Sequence, residues 1–237
     1  LGTGLSSHPT PKLLTLDNQV EALHQVVQAV RTGVVTGAPV SRVILVGHSL
    51  GSILAAADQV RYPADADGLI LTGYSHMNNP VGIGALLSTS LWSAQLDSRF
   101  SADGLPLGYF TTVPGIRPVL FYAPLTADPT VQAVDEELKE TTAHAIEAVG
   151  FGLGSGTVGT LSIAVPVLVA AGELDLFVCG LPTCMAHEPA FYQGAAGKVT
   201  AISIPATGHN LNLSYSAPNF YTQATTWATR WIGTAAP

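Results

Sequence analysis

Charge is what this sequence has least of. Only 11% of its 237 residues are charged, and sixteen Asp and Glu outnumber nine Lys and Arg, for a net charge of −7. No cluster of Lys or Arg is present to meet phosphates, which excludes nucleic acid and an anionic membrane surface as main partners. Also missing is any run of the roughly 18 apolar residues that a membrane-spanning helix needs. Cysteine is scarce: Cys179 and Cys184 lie in the loop-like CGLPTC. Their spacing suits neither a C-x-x-C redox motif nor a zinc pair, and no second pair completes a metal site. Two states remain open, a local disulfide as in secreted proteins, which is preferred, and two free thiols. The NLS sequon at Asn212 adds weak support for secretion and marks a candidate glycosylation site. The opening LGTGLSSHP has no initiator Met, no signal-peptide pattern and no strand before it, so it reads as a cut end.

Apolar residues, by contrast, make up 47%, which excludes a disordered or coiled-coil chain and allows one sizeable core, with or without an insertion. Asp17 is expected to cap a helix running to about Arg31, with Val20, Leu23, Val27 and Val30 on one face. RVILV (42–46) and GLILTG (68–73) read as buried strands, with a helix over 50–62 between them. Strands that are apolar throughout and alternate with helices predict an α/β fold: a predominantly parallel sheet with helices on both faces. From Tyr74 to about 160 this rhythm breaks into a segment rich in Gly, Pro, Ser and aromatics, with one helix expected from Pro129 to Val149 and five glycines between Gly150 and Gly159. An insertion of this length is expected to be a partly helical cap over a site. The layout is therefore a core in two parts, 1–73 and 161–237, around a cap over 74–160. Strands return in IAVPVLVAAGELD (163–175) and KVTAISIPATGHN (198–210), and an amphipathic helix closes the chain.

The chemistry is carried by VGHSLGS (46–52), which places Ser49 between two glycines where a strand turns into a helix. This is the context of a nucleophile elbow. A serine hydroxyl needs a base to take its proton and a third group to orient that base. Three strand exits supply Ser49, Asp175 and His209, and in a parallel sheet those exits share one edge. Gly47 and Gly51 are expected to be small so that strand and helix can pack closely. The Leu50 N–H, at the helix start, is placed to meet a developing oxyanion. Glu173 is the local rival of Asp175, and no acid occurs from Tyr74 through Pro80.

GHSLG, GELD and TGHN at these spacings resemble the α/β-hydrolase fold superfamily, and LGTGLSSHP is similar to the D-x-G-x-G-x-S segment that precedes its nucleophile strand. The resemblance covers the chain apart from the cap. It implies Ser49 as nucleophile, His209 as general base and acid, and Asp175 as its orienting carboxylate, with no cofactor. It also implies strands ahead of residue 1, and a loop from them carrying a second oxyanion donor. A sheet beginning at the nucleophile strand would expose an apolar edge. The expectation is a bound N-terminal fragment, made by nicking one precursor, that completes sheet and oxyanion hole.

The remaining candidates are weaker. Tyr74, His76 and Met77 follow a strand exit and are expected to wall a substrate pocket. His48 is read as packing support that projects away from the nucleophile. His187 beside Glu188 could suggest a metal pair, but two adjacent residues chelate one ion poorly, and no metal is expected. Trp92, Phe100, Tyr109, Phe110, Phe121 and Tyr122 read as cap core rather than substrate contacts. The expected activity is a serine hydrolase acting on a small-molecule ester or lactone through an acyl-enzyme. Acyl transfer, amide hydrolysis and a non-catalytic binding protein on the same fold are the alternatives.

Overall fold

The computed structural model of the protein describes residues 1–143, 159–179 and 183–233. Helix α1 spans Leu16–Arg31 and is capped by Thr15, whose hydroxyl accepts from the Asn18 N–H, rather than by Asp17. Thr15 is the last extended residue, as an N-cap must be, and Asp17 already lies in the first turn, where its charge still favours the helix N-terminus. Strand β1 follows (Ile44–His48), then helix α2 (Leu50–Arg61) and strand β2 (Gly68–Thr72). After β2 the chain leaves the sheet through helix α3 (Pro80–Ala85), the antiparallel pair β3 (Leu91–Ser93) and β4 (Phe110–Thr112), and helices α4 (Arg117–Phe121) and α5 (Pro129–Glu137). Strand β5 (Val167–Gly172), the short helix α6 (Cys184–His187), strand β6 (Val199–Ile204) and helix α7 (Ala217–Trp231) complete the order.

The main sheet is parallel throughout, in the order β1-β2-β5-β6. Alternation along each strand splits the core in two. Leu69, Leu71, Val167 and Val169 face α2, against Ile53, Ala55 and Ala56. Ile70, Leu168, Ala170 and Ile204 face Phe220 and Trp227 of α7. Both faces are thus covered, which is why these strands read as unbroken apolar runs. Each of these large side chains stabilises the fold by about 1.5–3 kcal/mol through burial. Strand β1 ends the sheet among the described residues, and Val46 on it is 67% exposed. No helix among the described residues is long and apolar enough to cross a membrane.

Helix α5 stops at Glu137, short of the expected end at Val149; residues 144–150 lie outside the described part. A tertiary contact ends it. The Lys139 ammonium is buried on Asp97 (2.7 Å), Glu136 (3.2 Å) and the Thr112 carbonyl (3.1 Å), and Thr142 pairs with Phe110 alongside β4. A charge taken out of water needs such partners, and meeting them turns the chain away from the helix axis.

On α2, Asp58 is fully buried beside Asp65. Its neighbour Asp65 is already engaged by His24 (2.7 Å) and Gln28 (2.8 Å). Burial first, and then the Asp65 charge, push Asp58 up to about 7. The folded value lies above the unfolded one of about 4, so stability is lost as pH rises through that window. Asp58→Asn is expected to stabilise the protein by about 2 kcal/mol at pH 8 and by nothing measurable at pH 4. Melting temperatures of both proteins across that range check this, and a pH-independent difference would contradict it.

Candidate active site

Ser49 sits between β1 and α2 at φ 52°, ψ −119°, a conformation that non-glycine residues adopt only under strain. Hydrogen bonds hold it there. The Ser49 N–H donates to the Thr72 carbonyl (2.8 Å), and the Ser52 hydroxyl and Thr72 amide lock α2 to β2 (2.9 and 3.0 Å). The two glycines of the motif differ. A Cβ on Gly47 would stand 2.5 Å from Ser52 Cα and overlap the Gly51 carbonyl, whereas one on Gly51 would meet nothing. The sequence expectation is therefore corrected for Gly51. It faces open space among the described residues, so no neighbour demands its small size.

Asp175 and His209 leave β5 and β6 by loops that touch backbone to backbone. A Cβ on Gly172 would overlap the carbonyls of Thr207 and Gly208. Asp175 Oδ2 lies 2.8 Å from His209 Nδ1, and both residues are buried. A carboxylate only accepts, so Nδ1 carries the hydrogen and Nε2 is left basic. Asp175 Oδ1 accepts from the amides of Phe177 (2.8 Å) and Val178 (3.3 Å), which fixes the carboxylate. Glu173, the local rival, instead accepts from the Ala206 amide (3.2 Å).

Ser49, Leu50 and His209 share one cleft with Ile53, Tyr74, Leu86, Phe121 and Phe177. Leu50 opens α2, so its amide is among those without a partner inside the helix. The cleft floor is mostly apolar. Of the three residues expected to wall it, Tyr74 does; His76 and Met77 are not among the lining residues. His76 is buried instead against Glu188 (2.9 Å), Thr160 (2.8 Å) and the stacked Phe191 ring, while Ser75 donates to the same carboxylate (2.6 Å). Met77 packs against the main core. Asn212 is half-buried, in a turn whose carbonyl accepts from Tyr221. Cys179 and Cys184 form a disulfide with Cα atoms 5.4 Å apart, joining the Asp175 loop to α6.

His48 departs from its expected direction. Its ring centroid is 4.8 Å from that of His209, and Nδ1 lies 3.0 Å from the Thr72 hydroxyl. Burial, and next the neighbouring His209, push His48 down to about 4, so it is neutral at physiological pH. Gly73, at φ 56°, makes room for both rings: a Cβ there would stand 2.8 Å from His48 and 2.9 Å from His209. Sequence reasoning also missed the His76–Glu188 pair and Phe177 beside the His209 ring, because partners 112 and 32 residues apart leave no local signal.

Comparison with known proteins bears on the fold. The model of the alpha/beta hydrolase family matches residues 1–222. The chain belongs to that family. Among solved structures it is similar to the monoacylglycerol lipase of Paleococcus ferrophilus, at 13% identity and a TM-score of 0.59, over 96% of this chain and 78% of that one. It is also similar to a thermophilic esterase from Thermogutta terrifontis, at 18% identity and a TM-score of 0.59, over 98% and 78%. E-2-(acetamidomethylene)succinate hydrolase matches at 17% identity and a TM-score of 0.58, over 98% and 79%. At these identities the likeness is one of fold. No curated protein matches.

Gly47→Ala is expected to cost most of the soluble, folded protein, because the backbone of α2 cannot retreat. Gly51→Ala is expected to fold at least as well as the parent, by about 0.5–1 kcal/mol, since alanine favours the helix. Melting curves of the two variants check the contrast, and equal damage from both would contradict it.

Proposed function

We propose that this protein is a serine hydrolase that cleaves carboxylic esters, lactones included, through an acyl-enzyme. The observation that carries the reading is a buried imidazole, oriented by Asp175 at 2.8 Å, in the same apolar cleft as a serine held at positive φ. His209 Nε2 takes the hydroxyl proton as Ser49 Oγ attacks the carbonyl carbon. The oxyanion of the tetrahedral intermediate meets the Leu50 N–H at the start of α2, where the helix dipole also favours negative charge. On collapse, the bond to the leaving oxygen breaks and the imidazolium returns its proton to that alkoxide. Water, deprotonated by the same nitrogen, then releases the acid and frees Ser49. Throughout, Asp175 stays ionised and stabilises the imidazolium.

The lining of Leu50, Ile53, Leu86, Phe121 and Phe177 favours an uncharged, apolar acyl or aryl group. Amide cleavage and acyl transfer would use the same three side chains; esters are preferred because an alkoxide asks less of the acid than an amine does. The open edge of β1, with Val46 exposed, is in this reading the seat of a further strand supplied from outside these residues, together with a second oxyanion donor. The disulfide favours an extracytoplasmic site of action.

The test is labelling by a fluorophosphonate probe, followed by a panel of esters of varied acyl length with lactones, amides and added alcohols. The parent is expected to label at Ser49 and to prefer neutral esters. Ser49→Ala is expected to lose labelling and at least about 10⁴-fold in kcat/KM. A parent protein that neither labels nor turns over any of the panel would leave the non-catalytic reading standing.

A further inference from the structure

The loop that carries His209 rests on the segment inserted between β2 and β5. A Cβ on Gly208 would stand 2.6 Å from the Ala123 nitrogen, so backbone lies directly on backbone. Next to the base, the Asn210 N–H donates to the Phe121 carbonyl (2.8 Å), and Asn210 Nδ2 donates to Asp135 Oδ2 (3.4 Å). Asp135, on α5, is gripped by Arg117 of α4 through two bonds, Nε to Oδ2 at 3.1 Å and Nη2 to Oδ1 at 2.7 Å. Both side chains are largely buried, and the guanidinium also lies 4.7 Å over the Phe121 ring, itself a wall of the cleft. A paired, bidentate carboxylate of this kind is a firm anchor.

Against the His209 ring lies His48, with ring centroids 4.8 Å apart. Its Nδ1 faces the Thr72 hydroxyl (3.0 Å), which itself donates to the Gly47 carbonyl (2.9 Å). The contacts that reach the base from the inserted segment run Arg117, Asp135, Asn210 and so into the loop of His209.

Resting on the reading of Ser49, Asp175 and His209 as a triad, we infer that Asn210 is a positioning residue for the base and that the Arg117–Asp135 pair is its anchor. The inserted segment is then a fixed support of the base at α4 and α5, in addition to covering the cleft. Asp175 fixes one edge of the imidazole through Nδ1. The Asn210–Asp135 and Asn210–Phe121 contacts fix the chain immediately after the base, without touching the reacting atoms.

The experiment compares the parent, Asn210→Asp and Asp135→Asn for probe labelling of Ser49 and for turnover of the best ester in the panel. Asn210→Asp keeps the size but removes both donors and sets a second carboxylate against Asp135. Both variants are expected to label about tenfold more slowly and to lose about tenfold in kcat, with KM within about twofold, because the error lies in the placement of the base and the cleft is unchanged. Melting curves run alongside identify a variant that fails to fold, and the other is then read alone. A parent that labels and turns over, beside folded variants with unchanged kcat and labelling rate, would overturn the inference. A rise in KM alone would assign Asn210 to substrate binding and overturn it too. A parent that does not label at all would remove the triad reading itself, and this one with it.

Discussion

Backbone touching backbone at the ends of β5 and β6 is the constraint on which the rest of the structure depends. Gly172 and the Thr207–Gly208 carbonyls are so close that any side chain at 172 would overlap them. Only that approach lets the loop after β5 and the loop after β6 run side by side, with the Leu174 amide donating to the Thr207 carbonyl at 2.8 Å. Asp175 and His209 are consequences of this seam, each two or three residues beyond it. The same economy governs the nucleophile. Gly47 lets α2 lie on β1, and Gly73 leaves space for two imidazoles. Where three strand exits must come together, the site is made by omitting side chains as much as by supplying them.

The parts of this arrangement that were legible in the sequence are those set by local pattern. Unbroken apolar runs located the parallel strands, because both faces of the sheet are covered. The G-x-S-x-G turn located the strained serine, and Asp175 and His209 followed at strand exits because a parallel sheet collects those exits on one edge. The parts that were not legible were decided by contacts distant in sequence. Helix α5 ends where Lys139 finds Asp97, some forty residues back, and nothing in DEELKE signals that burial. His48 turns toward His209 because Thr72, on the neighbouring strand, offers its hydroxyl lone pair. Gly51 misled for the opposite reason: the motif presents two glycines as equivalent, and only the space around each separates them.

The walls of the cleft depend on a second buried assembly. Glu188 is fully buried, yet its two oxygens are met by the Ser75 hydroxyl, the His76 amide and the His76 ring. A buried carboxylate satisfied in this way fixes a loop more firmly than apolar packing, because any slip leaves a charge unpaired. The loop it fixes begins with Tyr74, the wall of the cleft, and is also paired with the Asp175 loop through the Cys179 and Asn79 amides, which donate to the Met77 and Phe177 carbonyls at 3.0 and 2.9 Å. The disulfide from Cys179 to α6 closes the circuit, since α6 leads directly into Glu188. The wall, the acid loop and the buried carboxylate are in this way parts of one rigid unit.

What surrounds His209 also bears on how its charge is managed. In the proposed mechanism the ring becomes an imidazolium, and a cation formed in a buried site needs a counter-charge on one side and no competing cation on the others. Asp175 provides the first at 2.8 Å. The Phe177 edge and the Phe121 ring, with centroids 4.8 and 5.8 Å away, are apolar, and the one titratable ring in contact, His48, is held neutral by its own burial. On the inserted segment, Arg117 is neutralised by Asp135 through two hydrogen bonds. Asp175 is therefore the one carboxylate hydrogen-bonded to the His209 ring among the described residues, an electrostatic balance that suits the proposed transfer of the serine proton.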